Sequence, residues 1–190
     1  MRVSSLRLPF GQRAASDELW PLLLPALVVG ATYYAGCLIG FALRFPASGI
    51  SFLWPPTAVL TSSLLTTSRQ AWLPLLGAAF VAHAIAHTQN GVPVGVWPVQ
   101  FLANAVQAVL AVYAIRHYAS GRPLFGDLRS ATAFVVGASI AAPAVASLIP
   151  VGVYLNMGWA VDAWQAWRTR VVSNSIASLT LVPPMVAAVQ

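Results

Sequence analysis

Long apolar runs alternate with short polar breaks along this chain. The runs cover residues 19–43, 50–67, 71–88, 97–118, 131–153 and 168–188. The first would be roughly 37 Å long as a helix, enough to cross a bilayer core of about 30 Å with some tilt. The breaks between the later runs are a polar turn at Ser68-Arg69-Gln70, an uncharged loop at 89–96, a connection at 119–130 carrying Arg122, Asp127 and Arg129, and an aromatic-rich loop holding Tyr154, Trp159, Trp164 and Trp167. Pro143 and Pro150 predict kinks in the fifth run, and Pro183-Pro184 predicts an interruption near the end of the sixth. The pattern predicts an all-α, polytopic transmembrane helical bundle of about six spans.

One stretch breaks the helical pattern without being polar: Gly49-Ile50-Ser51-Phe52-Leu53-Trp54-Pro55-Pro56-Thr57. Proline suits the first helical turn, so a helix can start at Pro55, while the residue before each proline is pushed toward extended geometry. Residues 50–54 are then non-helical apolar backbone at membrane depth, tolerated only where protein or a water-filled cavity covers it. Two readings follow: a loop before a proline-started helix, or an indented lead-in that lines a site. On the first run, Gly36 and Gly40 form a small-xxx-small pair, which serves either packing against another helix of the chain or a homodimer.

Composition places the runs in a membrane. The 190 residues are 58% hydrophobic and 7% charged, with a mean hydropathy of +0.76; soluble domains carry roughly 25% charged residues. One compact helical domain leaves no room for a soluble catalytic unit. The cations are ten arginines and no lysine, against four acids. They fall between apolar runs, so they read as topology signals rather than a nucleic-acid surface. With the amino terminus inside, seven (2, 7, 13, 69, 116, 122, 129) lie on the cytoplasmic side and three (44, 168, 170) outside. Both termini are then cytoplasmic, residues 1–18 form a short cytoplasmic tail and 19–190 the membrane domain. Trp20, Trp72, Trp97 and Trp164 stand at span ends, as an aromatic belt would. The single Cys37 supports neither a disulfide nor a cysteine metal site. Ala35-Gly36-Cys37 looks like the end of a lipoprotein cleavage site, but Tyr34 and the length of the run argue against cleavage.

Any chemistry rests on polar residues inside the runs. Gln100, Asn104 and Gln107 follow i, i+4, i+7; Arg170, Asn174 and Ser178 follow i, i+4, i+8; His83 and His87 are i, i+4. Each set shares one helical face, and all three deepen from the outer surface. They are either interhelical hydrogen bonds or the lining of a ligand cavity. The histidine pair is half a zinc site with no third ligand in view, or a pH-responsive element at the outer mouth. No catalytic triad, carboxylate pair or phosphate loop appears, and no cofactor is expected. Trp54, Pro55, Pro56, His83, Asn104, Gln107, Arg170, Asn174 and Ser178 are the candidates for ligand binding or signalling.

Phe52-Leu53-Trp54-Pro55-Pro56-Thr57-Ala58-Val59, then Leu102-Ala103-Asn104-Ala105-Val106-Gln107-Ala108, then Trp167-Arg168 through Ser173-Asn174-Ser175-Ile176-Ala177 and Pro183, come in an order that resembles the first-described membrane-associated sensor family, the MASE type. The resemblance covers about residues 22–188. It implies a bacterial inner-membrane, multi-pass sensory input domain, not itself an enzyme. A cue received at the outer cavity would pass through the last helix to a cytoplasmic output domain, a histidine kinase or a cyclic-di-GMP enzyme, outside these 190 residues. The chain departs from the family pattern at Ala58 (usually glycine), Gln107 (usually glutamate), Asn174 (often aspartate) and His83 (commonly asparagine), and so loses two potential negative charges. A small transport or substrate-binding membrane subunit is the competing class. The gene segment after residue 190 discriminates the two.

Overall fold

The computed structural model describes the backbone of residues 15–44, 50–119 and 125–189, and side chains from residue 23 onward. The arginines at 2, 7, 13 and 122 that entered the topology argument lie outside the described residues. Those described are helical apart from turns, short irregular connections including the lead-in at 50–54, and one antiparallel bridge between Arg44 and Ser51. Eight α-helices follow in order: α1 (Ala15–Ala42), α2 (Pro55–Thr66), α3 (Trp72–Gln89), α4 (Trp97–Ala119), α5 (Leu128–Thr132), α6 (Ala142–Ala146), α7 (Val151–Asn156) and α8 (Ala163–Ala187). A 3₁₀ turn at Arg69–Ala71 leads into α3, and a π-helical stretch at Ala133–Ala141 joins α5 to α6. Among the described residues four segments are long and apolar enough to cross a membrane: Leu23–Ala42, Arg69–Gln89, Trp97–Ala119 and Leu128–Ala146.

The short helix α2 is the centre of the bundle. It starts at Pro55, as expected, with Pro55 and Pro56 in the first turn where their missing N–H groups cost nothing. Twelve residues rise about 18 Å, too little to cross a bilayer core alone. Nine of the twelve are buried, because α1, α4 and α8 close around it. Its last carbonyls, which no intrahelical donor reaches, are taken from outside. Arg116 of α4 donates to Leu64 O (2.9 Å), Leu65 O (3.1 Å) and Thr67 O (2.7 Å), and Trp72 Nε1 donates to Leu64 O (3.1 Å). The Gly36/Gly40 face of α1 receives the Trp-Pro-Pro lead-in. A methyl added at Gly36 would lie 3.3 Å from Pro56 N, and one at Gly40 would overlap the Trp54 ring. This pair therefore serves contact within the chain.

Several boundaries differ from the sequence reading. Helix α1 begins at Ala15, so the backbone at Asp17 and Glu18 is helical rather than tail. The fifth run does not continue to 153 with kinks. Its helix ends at Ala146, a turn covers 147–150, and Pro150 precedes the separate helix α7. The strain of Pro143, which cannot donate to the ladder, sits beside the widened turns: Ala142 N bonds Gly137 O, five residues back. Helix α8 starts five residues before the expected 168, because Asp162 Oδ1 accepts from Gln165 N (2.7 Å) and Gln165 Oε1 accepts from Val161 N (2.7 Å). Trp164 and Trp167 are consequently helical, not loop residues, and Tyr154 is helical in α7. Pro183-Pro184 does not interrupt α8, which runs through both prolines to Ala187. They remove two bonds just before the helix end, and Ala188 N still reaches Pro184 O (3.0 Å).

Candidate functional site

The three polar stripes meet. Gln100, Asn104 and Gln107 on α4, Arg170, Asn174 and Ser178 on α8, and His83 and His87 on α3 are all buried. Side-chain hydrogen bonds run from helix to helix. Arg170 Nη2 donates to Asn104 Oδ1 (2.6 Å), and Asn104 Nδ2 donates to the Tyr33 hydroxyl on α1 (2.9 Å). The Tyr33 hydroxyl lies 3.0 Å from His83 Nδ1, and His83 Nε2 lies 3.1 Å from Trp97 O. A carbonyl only accepts, so His83 carries its proton on Nε2 and Tyr33 donates to Nδ1. Arg170 Nη1 also donates to the Tyr154 hydroxyl of α7 (2.9 Å), and Thr57 Oγ1 of α2 lies 3.2 Å from Asn174 Oδ1. Six helices (α1, α2, α3, α4, α7 and α8) are thus tied through polar side chains at one level of the bundle.

Beside this network lies a cavity of about 30 Å³, room for about two waters. Trp54, Asn104, Arg170 and Asn174 line it, together with His87 and Gln100. A groove of about 720 Å³ adjoins it and shares Ser51, Trp159 and Ser173 with its wall. The extended lead-in makes this possible. Phe52 N bonds Leu43 O (3.0 Å) and Ser51 Oγ bonds Leu53 O (2.6 Å), so residues 51–54 hold their shape without a helix. Trp54 lies on Gly40, edge-on to Phe41 and His87 at 5.5 and 5.7 Å.

The remaining candidates stand apart from the cavity. Pro55 and Pro56 pack on Gly36, and His83 is committed to Tyr33 and Trp97 O. Gln107 and Ser178 are buried with no hydrogen-bond partner for their side chains. Conversely, the sequence reading missed Tyr33, Arg44, Tyr154 and Ser173. Tyr33 lies in an apolar run with no polar residue at helical spacing, and Tyr154 was assigned to a loop. Arg44 was counted only as a topology charge. It lines the cavity, its Cζ 3.9 Å above the Phe41 ring, and burial lowers its pKa from the ordinary arginine value.

One exclusion needs correcting. Cys37 had no partner for a metal site in the sequence, but α1 and α3 pack so that its sulfur and one ring nitrogen each of His83 and His87 fall within 4.8 Å of one another. The imidazoles stack at 3.6 Å between centroids. As they stand they form a hydrogen-bonded pair: His87 Nδ1 donates to His83 O (2.9 Å), and both nitrogens of His83 are engaged. A metal bound through His83 would have to break one of those two bonds.

Comparison with known proteins agrees with this architecture. The MASE1 family model matches residues 25–189, so the chain belongs to the MASE1 family, whose domain is a membrane-associated sensory input domain. No curated protein and no solved structure matches the chain.

Proposed function

We propose that this MASE1 chain receives its cue in the polar cavity between α1, α4, α7 and α8, open toward the outer side of a bacterial inner membrane. It would relay that cue through α8 to a cytoplasmic output domain, a histidine kinase or a cyclic-di-GMP enzyme. One observation carries this reading: two stripes legible on separate helices, Gln100/Asn104 and Arg170/Asn174, line the same cavity with Trp54 of the lead-in. Isolated interhelical bonds would give no reason for a cavity where they meet. The topology we propose has six crossings and both termini inside. The second crossing is made of the extended lead-in and α2, which together span about 34 Å at ~3.3 Å per extended and ~1.5 Å per helical residue. Residues 1–18 precede the sensor domain, and any catalysis belongs to the output domain.

The relay has a stated mechanical requirement. A ligand shifts an equilibrium only by its difference in affinity between two states. Arg170 and Asn174 sit on α8, so a ligand that draws on them acts directly on the last described helix. The test is Asn174→Leu in the chain fused to a kinase reporter. The variant loses the Thr57 contact with the number of side-chain heavy atoms unchanged and becomes more apolar, so insertion should not suffer. Reporter output is expected to lock at one level with normal membrane expression. A response to the cue indistinguishable from wild type would reduce the stripes to interhelical glue.

A further inference from the structure

The wall of the cavity is rich in donors that have nothing to donate to. Arg170 is 5% exposed; its Nη atoms hold Tyr154 and Asn104, and its Nε has no partner. Arg44 Nε and Nη2, Trp54 Nε1 and Asn174 Nδ2 are buried and equally unpartnered. These four residues all line the same space. Among the described lining residues only Gln100 Oε1 is an unpartnered acceptor, and Ser173 Oγ can play either part.

Charge points the same way. Among the described residues two guanidiniums face the cavity and no carboxylate lines it. Of the acids with described side chains, Asp127 caps α5 and Asp162 caps α8, eight residues or about 12 Å along the helix from Arg170. Water in the cavity could take up the hydrogen bonds, but it supplies no counter-charge, and a buried unpaired guanidinium is among the costliest arrangements a protein holds. Size sets a further limit. The inner space takes the head of a ligand and no more. The adjoining groove, of small-ligand size and bordered by Phe52, Trp159, Val161 and Val172, takes the rest.

We infer that the cavity and groove bind a small organic anion, its carboxylate or phosphate head between Arg44, Arg170 and Trp54 Nε1 and its apolar body along the groove. Only the step from ligand to cue rests on the sensory reading above; binding stands on the charge and the unpaired donors. A phospholipid headgroup offers the same chemistry as a free organic phosphate, so the test has an arm for each.

The full chain, purified in a neutral maltoside detergent, is titrated with benzoate and with phenyl phosphate at constant ionic strength, with benzyl alcohol as the neutral counterpart. Bound phospholipid is measured by native mass spectrometry. Saturable binding of either anion and none of benzyl alcohol is expected. Arg44→Gln, at a half-buried side chain with unpartnered nitrogens, should weaken it at least tenfold while the protein melts as before; a hydrogen bond to a charged group is worth that much. Arg170→Gln should abolish it. A phospholipid that co-purifies with wild type and is lost in Arg44→Gln supports the same site with a lipid head as occupant. The inference is overturned by no saturable anion and no retained phospholipid, by benzyl alcohol binding as well as benzoate, or by Arg44→Gln and Arg170→Gln binding like wild type. The two readings fail separately: a reporter that still responds through Asn174→Leu sinks the sensory role and leaves the anion site. A response that Asn174→Leu abolishes, in a protein that binds no anion, does the reverse.

Discussion

Gly40→Ala tests the seating of the Trp-Pro-Pro lead-in. The new methyl would lie 2.5 Å from Trp54 Cζ3, where an ordinary contact is about 3.4–4 Å, so the indole must move by roughly 1 Å. It has little freedom to do so, being wedged between Phe41 and His87. Overpacking of this kind costs about 1–3 kcal/mol, against a gain of up to about 1 kcal/mol from replacing glycine in a helix. The net expectation is a loss of about 0–3 kcal/mol. Gly77→Ala is the internal control: nothing lies within 4 Å of its added methyl, so only the gain remains. Gly36→Ala, 3.3 Å from Pro56 N, should fall between. Thermal unfolding of the three variants in one detergent gives the order Gly77→Ala, Gly36→Ala, Gly40→Ala from most to least stable. A double-mutant cycle with Trp54→Phe assigns the cause, because the smaller ring vacates the overlap and should recover about 1 kcal/mol. Gly40→Ala as stable as Gly77→Ala, with an additive cycle, would refute the wedge.

The other end of α2 makes a second prediction. Arg116→Gln removes the donor to the carbonyls of Leu65 and Thr67 and one of the two donors to Leu64 O, which keeps Trp72 Nε1, and should cost about 1–3 kcal/mol, since Arg116 is partly exposed and water replaces some of what is lost. Thermal unfolding within about 0.5 kcal/mol of wild type would mean that solvent already caps α2. Topology is open to thiol labelling on a Cys37→Ser background. Val94→Cys and Val161→Cys, at positions 68% and 88% exposed, should react in intact cells, whereas Leu128→Cys, 84% exposed, should react only after lysis. Labelling of position 94 only after lysis would overturn the six-crossing arrangement.

The helices themselves were legible because apolar runs and proline positions are local signals. The lead-in at 50–54 and the start at Pro55 stand where the sequence put them, and the break expected at 89–96 begins one residue later, since Gln89 closes α3. Helix faces were less legible. The long helices are apolar all round, so periodicity cannot say which side meets protein and which meets lipid. Inside, close approach is set by alanine: Ala79, Ala86, Ala103, Ala108, Ala146 and Ala177 are completely or nearly completely buried, and none of them stands out in an apolar run. Polar residues in such runs do stand out, which is why Asn104, Arg170 and Asn174 were found. Tyr33 was not, because tyrosine carries one polar atom on an apolar ring and its partners are 50 and 71 residues away. The early start of α8 was legible in principle, through Asp162 and Gln165 at capping-box spacing.

Helix α8 joins the site to the rest of the chain, and its buried face has two distinct halves. From Ala166 to Ser178 that face is Ala166, Arg170, Ser173, Asn174, Ala177 and Ser178, small or polar throughout. Beyond it come Val182 and Val186, which pack with Ala58, Ala111, Ile115 and Phe134. The first half is too polar to be held by lipid and depends on partners for its groups; several of those groups have none within the protein. The second half is an apolar seam with no such requirement. A charge entering the cavity would therefore change the energetics of the first half alone, by pairing Arg170. Any response must reach the second half as displacement of Val182 and Val186 against their neighbours. Because small residues line the first half, α8 has few large side chains there to lock its position, and the valine seam is where two discrete packings would have to differ. Substituting Val182 with leucine should consequently bias reporter output without weakening anion binding by more than the coupling between the two states. A Val182→Leu fusion with unaltered output at every ligand concentration would show that the seam does not carry the signal.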